Sequence, residues 1–200
     1  GYFYRGDLEE AVTHFKQALA LDPYFIQAHY HLGVTYLYQG NCLEAIEALE
    51  NSELIIYPTD TVYGIGCDIF NKQALDRVQD IKINPDIKLL SFICPDLKDI
   101  SKYARVSDYA YRTMKHLLPG PYTFILPAAK QVPKKLWSKR KTVGIRIPDH
   151  AVALKIVEEL GHPIVSTSTT RCKGDLLVDP FEIKNIFQFN IDFILLSGNL

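Results

Sequence analysis

The polar segment that follows the short apolar run 54–57 is the part of the chain best suited to bind a small ligand. Thr59, Asp60 and Thr61 place three short hydrogen-bonding side chains after this run, which Pro58 ends because proline has no N–H to donate. Ligands of α/β proteins tend to bind where strands end. The sequence therefore predicts a polar recognition turn with hydroxyls from Thr59 and Thr61. An ordinary turn after a strand is the alternative.

Gly64 and Gly66 follow this turn in the stretch GIG. Glycine has no Cβ, so another group can approach the backbone closely at both positions. Such close approach is consistent with a small ligand bound beside the polar turn.

Hydroxyl side chains also follow two later apolar runs. Ser166, Thr167 and Ser168 close the run that begins at residue 163, and Thr123 comes shortly after the Pro-Gly-Pro of 119–121. Such hydroxyls either cap the end of a strand or bind a polar ligand. The residues alone leave both interpretations open.

Basic side chains suited to phosphate occur in two places. Lys82 and Lys88 flank one loop, and the segment 130–146 contains seven basic residues and no acidic one. The lysines of 134–141 also fit a solvated loop. Arg146 differs because it lies inside the apolar strand pattern TVGIRIP, where a charge is costly unless it is paired or faces a ligand. We expect it to face a ligand.

Composition limits the class of protein. The 200 residues are 48% hydrophobic and 22% charged, which is typical of a globular chain. The four cysteines lack CxxC spacing and the six histidines are scattered, so we expect reduced thiols and no metal site. With neither a membrane-length apolar run nor a signal peptide, we expect a cytoplasmic protein. The chain begins at Gly1, so an upstream targeting segment stays open.

The first 50 residues repeat at an offset of 34. Gly6 corresponds to Gly40 and Ala11 to Ala45, a pattern that resembles the tetratricopeptide repeat. About one and a half units are visible, and we expect residues 1–50 to contact a protein partner. Residues 1–52 carry a net charge of −5 and residues 53–200 carry +4, which also indicates two modules.

The boundary between the modules has no linker composition. The segment 43–50 is predicted to be the second helix of the last repeat, and it directly precedes the strand at 54–57. We therefore predict that one helix, over 43–51, belongs both to the repeats of 1–50 and to a second domain over 43–200.

Helical and strand patterns alternate after residue 54, which predicts a mixed α/β fold. Helices are predicted at 72–83, 103–118, 151–160 and 180–187, and strands at 54–57, 89–94, 122–128, 142–147, 164–168 and 193–196.

Four blocks occur in order along the chain: YPTDTVYGIGCD, PGPYTFIL, TVGIRIPDH and STS. Together they resemble the YrdC/TsaC family of threonylcarbamoyl-AMP synthases, over about residues 43–200. The runs CPDLKDISKYA at 94–104 and DFILLSGNL at the end are similar to the YciO-like branch of that family. The resemblance implies a twisted mixed sheet around a basic concave cavity. It also leads us to expect a closing strand beyond Leu200.

The resemblance implies a synthase that forms threonylcarbamoyl-AMP and pyrophosphate from L-threonine, bicarbonate and ATP, for modification of adenosine 37 in tRNA. Such chemistry relies on positioning and charge neutralisation and needs no nucleophile from the protein. ATP would carry Mg²⁺, with no resident metal site. The resemblance implies that threonine is bound by Thr59, Thr61, Thr123 and Arg146, and the nucleotide and its phosphates by Lys82, Lys88, Ser166 and Ser168.

Two positions depart from the family pattern. Asn84 stands where the family has the arginine of Lys-x-Arg-Pro, and Thr170 stands where it has the asparagine of Ser-x-Asn. Loss of one preorganised phosphate contact costs on the order of 2–4 kcal/mol of transition-state stabilisation. Activity is therefore expected to be lowered, and the sequence leaves its survival open. The alternative is a non-catalytic module that binds double-stranded RNA or a nucleotide and is recruited to a protein partner by the repeats.

Overall fold

The computed structural model describes residues 8–81, 90–130, 132, 136, 141–170 and 175–195. Within these ranges the chain forms seven helices and seven strands. The helices are α1 (Leu8–Leu21), α2 (Ile26–Glu50), α3 (Lys72–Ile81), α4 (Ile100–Tyr103), α5 (Asp108–Leu117), α6 (Ala151–Leu160) and α7 (Pro180–Phe187). The strands are β1 (Ile55–Tyr57), β2 (Gly64–Asp68), β3 (Ser91–Ile93), β4 (Phe124–Pro127), β5 (Thr142–Arg146), β6 (Ile164–Ser168) and β7 (Phe193–Ile194).

The strands form one mixed sheet in the order β4-β5-β3-β6-β2-β1-β7. The β3–β5 and β1–β7 pairs are parallel, and the other four pairs are antiparallel. The predicted α/β class with a mixed sheet is therefore confirmed. This order places the β1–β2 turn beside the end of β6, since Gly64 pairs with Ser168.

The apolar run at 54–57 is continuous because both of its faces are buried. Side chains alternate between the two faces of a strand. Leu54 and Ile56 pack into the core that also holds the buried residues of α3, whereas Ile55 and Tyr57 pack with α2 and α6. Strands buried on both faces lack the apolar–polar alternation of a surface strand.

Helix α2 extends from the N-terminal hairpin into the core of the sheet domain. It packs against α1 near its start and against α6 near its end. Its residues Cys42, Ala45 and Leu49 are buried in the same cluster as Ile156 and Val157 of α6. The helix predicted to begin at residue 43 is thus the last part of a 25-residue helix. The division of the chain into two modules stays a prediction.

One local prediction was wrong. The helix predicted over 103–118 begins only at Asp108, because Ala104 pairs with Ala128 and the Ser107 side chain accepts a hydrogen bond from the N–H of Ala110 to begin α5. The glycine-rich stretch after the recognition turn, to which we assigned no element, is strand β2, and Tyr57 and the residues of β6 cover it. No helix in the described ranges is long and apolar enough to span a membrane.

Candidate functional site

The β1–β2 turn is closed by the hydroxyl of Thr59. Its Oγ1 donates to the carbonyl oxygen of Val62 at 2.6 Å and accepts from the N–H groups of Thr61 at 3.2 Å and Val62 at 3.3 Å. A threonine can form such a turn because its hydroxyl both donates and accepts. Thr59 is therefore a turn-forming residue, and it also lines the cavity described below.

Arg146, at the end of β5, reaches across to this turn. Its Nη2 lies 2.5 Å from Oδ1 of Asp60 and 2.8 Å from Oγ1 of Thr61, and it donates to both. The side chains of Arg146 and Asp60 are only 14% and 11% exposed. The cost of a charge at the end of an apolar strand is thus offset by an ion pair.

Tyr57 forms the floor between the turn and β6. It is fully buried, and its hydroxyl donates to Oγ of Ser166 at 2.6 Å. Burial raises the pKa of Tyr57, against the opposing effects of Ser166 and Arg146, so the phenol stays protonated. A Cβ on Gly66 would lie 2.9 Å from the Tyr57 ring, and one on Gly64 would lie 3.0 Å from it. The group that approaches these glycines closely is therefore this ring.

A cavity of about 70 Å³ opens above Tyr57. At roughly 10–15 Å³ for each water, it has room for a few waters or for one polar group of a ligand. Among the described residues, Arg146 is the one charged side chain of its lining. Hydroxyl groups supply most of the remaining polar surface, and they belong to Tyr57, Thr59, Ser91, Thr123, Ser166, Thr167 and Ser168.

A larger cavity of about 390 Å³ lies between the segment after β3 and the end of α6. Its two lysines are already paired, Lys98 with Asp96 at 3.3 Å and Lys102 with Asp99 at 2.9 Å. None of the predicted ligand-binding residues that the structure describes lines it. We therefore place the candidate site at the smaller cavity, which we call the hydroxyl cavity.

His150 adds a third polar side chain, which lies close enough to Asp60 to be affected by its charge. Burial lowers the pKa of His150, while the charges of Asp60 and Asp149 oppose the change. Nδ1 of His150, Oδ2 of Asp60 and Nε of Arg146 are all buried, and the described residues offer them no hydrogen-bond partner. Buried polar atoms without a hydrogen bond are rare in proteins, so three of them close together indicate a functional site.

Five of the predicted ligand-binding residues line the hydroxyl cavity, namely Thr59, Thr123, Arg146, Ser166 and Ser168. Thr61 does not line it but contacts Arg146. Thr170 pairs through its backbone with Leu176 and does not line the cavity. Lys82, Asn84 and Lys88 lie outside the described residues. Their roles toward a ligand stay predictions.

The sequence did not single out Tyr57, Ser91 or His150, and it gave Asp60 no role of its own. Tyr57 counted only as part of an apolar strand, and the bond to Ser166 spans 109 residues of sequence. The pattern RIPDH contains His150 immediately after an aspartate, which is a signal for a polar site.

Metal and thiol chemistry have little support in the described part of the chain. No group of three or more His, Cys, Asp or Glu side chains there is arranged to hold a metal ion. Burial raises the pKa of Cys42, Cys67 and Cys94 to about 12, so these free thiols are poor nucleophiles.

Two protein-family models match different parts of the chain. A family model described as Sua5_yciO_yrdC, telomere recombination, matches residues 47–200, and a TPR repeat model matches residues 2–40. The E. coli (strain K12) protein YciO is 39% identical over 159 residues, which cover 78% of this chain and 77% of that one. A Vibrio vulnificus (strain YJ016) protein named threonylcarbamoyl-AMP synthase is 32% identical over 142 residues, 67% of this chain and 76% of that one.

Solved structures of the same family are also similar to this chain. The crystal structure of E. coli YciO matches with a TM-score of 0.75 at 39% identity, over 80% of this chain and 78% of that chain. The crystal structure of P. abyssi Sua5 in complex with L-threonine matches with a TM-score of 0.71 at 25% identity, over 79% of this chain and 47% of that chain. This chain thus spans about half of Sua5.

Proposed function

The chain belongs to the Sua5, YciO and YrdC family, and on that premise we propose that it forms threonylcarbamoyl-AMP from L-threonine, bicarbonate and ATP. A relative named for this activity and a Sua5 structure that holds L-threonine support the proposal. The product would donate its threonylcarbamoyl group to adenosine 37 of tRNA. We also propose a cytoplasmic site of action.

The observation that carries the proposal is Arg146, which among the described residues is the one cation in the hydroxyl cavity. Arg146 suits the carboxylate of threonine, which is the one polar group that the cavity can hold, and the surrounding hydroxyls can donate to that carboxylate. Thr61 and Asp60 hold the guanidinium in place before the ligand arrives. Such preorganisation lowers the cost of binding.

The reaction needs in-line geometry. The amine of threonine and bicarbonate form a carbamate with loss of water. A carbamate oxygen then attacks the α-phosphorus of ATP, a new P–O bond forms, and the bond from the α-phosphorus to the bridging oxygen breaks to release pyrophosphate. Mg²⁺ enters with ATP as part of the substrate. In this proposal Ser166, Ser168, Lys82 and Lys88 contact the nucleotide, and no protein nucleophile takes part.

We propose that the chain catalyses this reaction more slowly than a protein with the full family pattern. Asn84 and Thr170 replace an arginine and an asparagine of the family pattern, and one lost phosphate contact lowers transition-state stabilisation by about 2–4 kcal/mol. This corresponds to a rate reduced by roughly two to three powers of ten.

Pyrophosphate release tests the proposal. We expect release from ATP that requires both L-threonine and bicarbonate, and that rises in Asn84→Arg. Arg146→Ala should abolish it, whereas Asp99→Asn, a change at an exposed ion pair, should leave it unchanged. If neither the wild type nor Asn84→Arg releases pyrophosphate, the proposed synthase activity is refuted.

A second candidate function, binding of double-stranded RNA, rests on how charge is distributed. Residues 101–147 contain 11 of the 22 basic residues and one of the 23 acidic residues. This segment therefore carries +10 and the rest of the chain −11. The solvent face of α5 exposes Arg112 and Lys115 beside Tyr109 and Tyr111. Such a surface favours a polyanion.

Salt-sensitive RNA binding distinguishes this function. A double-stranded RNA should bind in 50 mM salt and weaken steeply at 200 mM. Substitution of both Arg112 and Lys115 by alanine should weaken binding, and alanine at Lys72 and Lys184, which are exposed on other helices, should not. Binding that depends equally on both pairs would contradict a specific RNA surface.

We further propose that the N-terminal hairpin binds a protein partner. Leu21, Tyr24 and Ile26 at the α1–α2 turn are 90%, 89% and 76% exposed, which is unusual for large apolar side chains. Serine at Leu21 and Tyr24 of the full chain should remove a partner that co-purifies with the wild type. An unchanged set of co-purified proteins would contradict the proposal.

A further inference from the structure

The contacts of the Arg146 guanidinium are unevenly distributed. Nη2 donates one hydrogen to Oδ1 of Asp60 and the other to Oγ1 of Thr61, so both of its hydrogens are used. Nε is buried, and no described residue accepts its hydrogen. Nη1 is the remaining nitrogen of the guanidinium, and Arg146 lines the hydroxyl cavity.

Asp60 contacts Arg146 but is not part of the lining of the hydroxyl cavity. Arg146 lines that cavity, and the two side chains form an ion pair. The carboxylate can therefore act on a ligand in the cavity through the direction that it imposes on the guanidinium.

A free arginine offers a carboxylate two parallel N–H groups. Here one side of that fork is already occupied. We propose that Asp60 is a specificity-determining positioning residue, which holds Nη2 of Arg146 so that Nη1 alone donates to an anionic group of the ligand in the hydroxyl cavity. For the identity of that ligand, L-threonine, the inference rests on the proposed function.

The orientation of the arginine is tested without any ligand. The chain has seven arginines, and Arg146→Lys identifies the signals of Arg146 in a protein labelled with ¹⁵N-arginine. We expect the two Nη groups of Arg146 to give separate, slowly exchanging signals in the wild type. Asp60→Asn should merge them, and the control Asp99→Asn should not.

The effect on specificity is tested with L-threonine and L-threoninol, which lacks the carboxylate. We expect the wild type to prefer L-threonine. Asp60→Asn frees a second N–H of the guanidinium for the carboxylate, so it should raise the ratio of the two affinities by about tenfold, the effect of one charged hydrogen bond. Asp60→Glu, which keeps the charge, should return the ratio part of the way to the wild-type value. If Asp60→Asn does not fold, Thr61→Val, which frees one hydrogen of Nη2, should give a smaller change in the same direction.

The outcomes separate this inference from the proposed function. Separate Nη signals that persist in Asp60→Asn, or an affinity ratio that does not change, would overturn the role of Asp60. If the wild type binds no L-threonine, the proposed function fails, and the role of Asp60 is then decided by the signals of the unliganded protein.

Discussion

Replacement of Gly66 by alanine tests the packing that supports the hydroxyl cavity. The new Cβ would lie 2.9 Å from Cε1 of Tyr57 and 3.0 Å from Cδ1 of Ile164. Cδ1 is the flexible end of its side chain and can move, but the Tyr57 ring is fully buried and anchored to Ser166. Overpacking of this kind costs about 1–3 kcal/mol. Since alanine restricts the unfolded chain by about 0.4–1 kcal/mol, we expect a net loss of about 1–2 kcal/mol.

Urea denaturation measures this loss, and a double-mutant cycle assigns it. In a Tyr57→Leu background the ring is absent, so Gly66→Ala should there cost less than about 0.5 kcal/mol. Unchanged stability of Gly66→Ala would refute the packing argument. An equal loss in both backgrounds would place the conflict at Ile164 instead of at the ring.

Two further predictions concern pH. Burial lowers the pKa of His150 in the folded state, so stability should fall as the pH drops below about 6.5, the ordinary value, and His150→Gln should reduce that fall in thermal unfolding between pH 7.5 and pH 5. Burial alone would raise the pKa of Asp192, but hydrogen bonds from Arg77 and from the N–H of Leu54, the latter at 2.7 Å, outweigh it and lower the pKa. Asp192→Asn should therefore cost about 1 kcal/mol at pH 7, and in urea titrations the difference from the wild type should shrink as the pH falls below 3.8, the ordinary value, towards the lowered pKa of the folded state; a constant difference would contradict the linkage.

The elements with strong local signals were predictable from the sequence. The helix over 151–160 and the strand over 164–168 have the predicted bounds, and Gly161 ends α6 with a φ of 74° that favours glycine. Strand β2 was not predictable, because two glycines disfavour a strand until Tyr57 and β6 cover them. The break before α5 depends in part on Ala128, which lies 24 residues beyond its partner Ala104.

The types of residue in the site were predictable from the sequence, but the ion pair between Arg146 and Asp60 was not. The position of Arg146 in an apolar strand indicated a partner, and we expected a ligand; the ion pair was not indicated by the sequence. The partner, Asp60, lies 86 residues earlier. Contacts at such separations follow from the order of the strands, which local patterns do not specify.

Helix α2 has a consequence for where the chain can be cut. The match to the sheet family begins at residue 47, yet Cys42 and Ala45, on the same helix, are buried against α6. A domain expressed from residue 47 would lose these side chains and expose an apolar surface on α6. The helix is about 37 Å long at 1.5 Å per residue, so a load on the hairpin would reach the start of β1 through a stiff rod. The family match therefore begins within α2, whereas the helix that would transmit a force begins at Ile26.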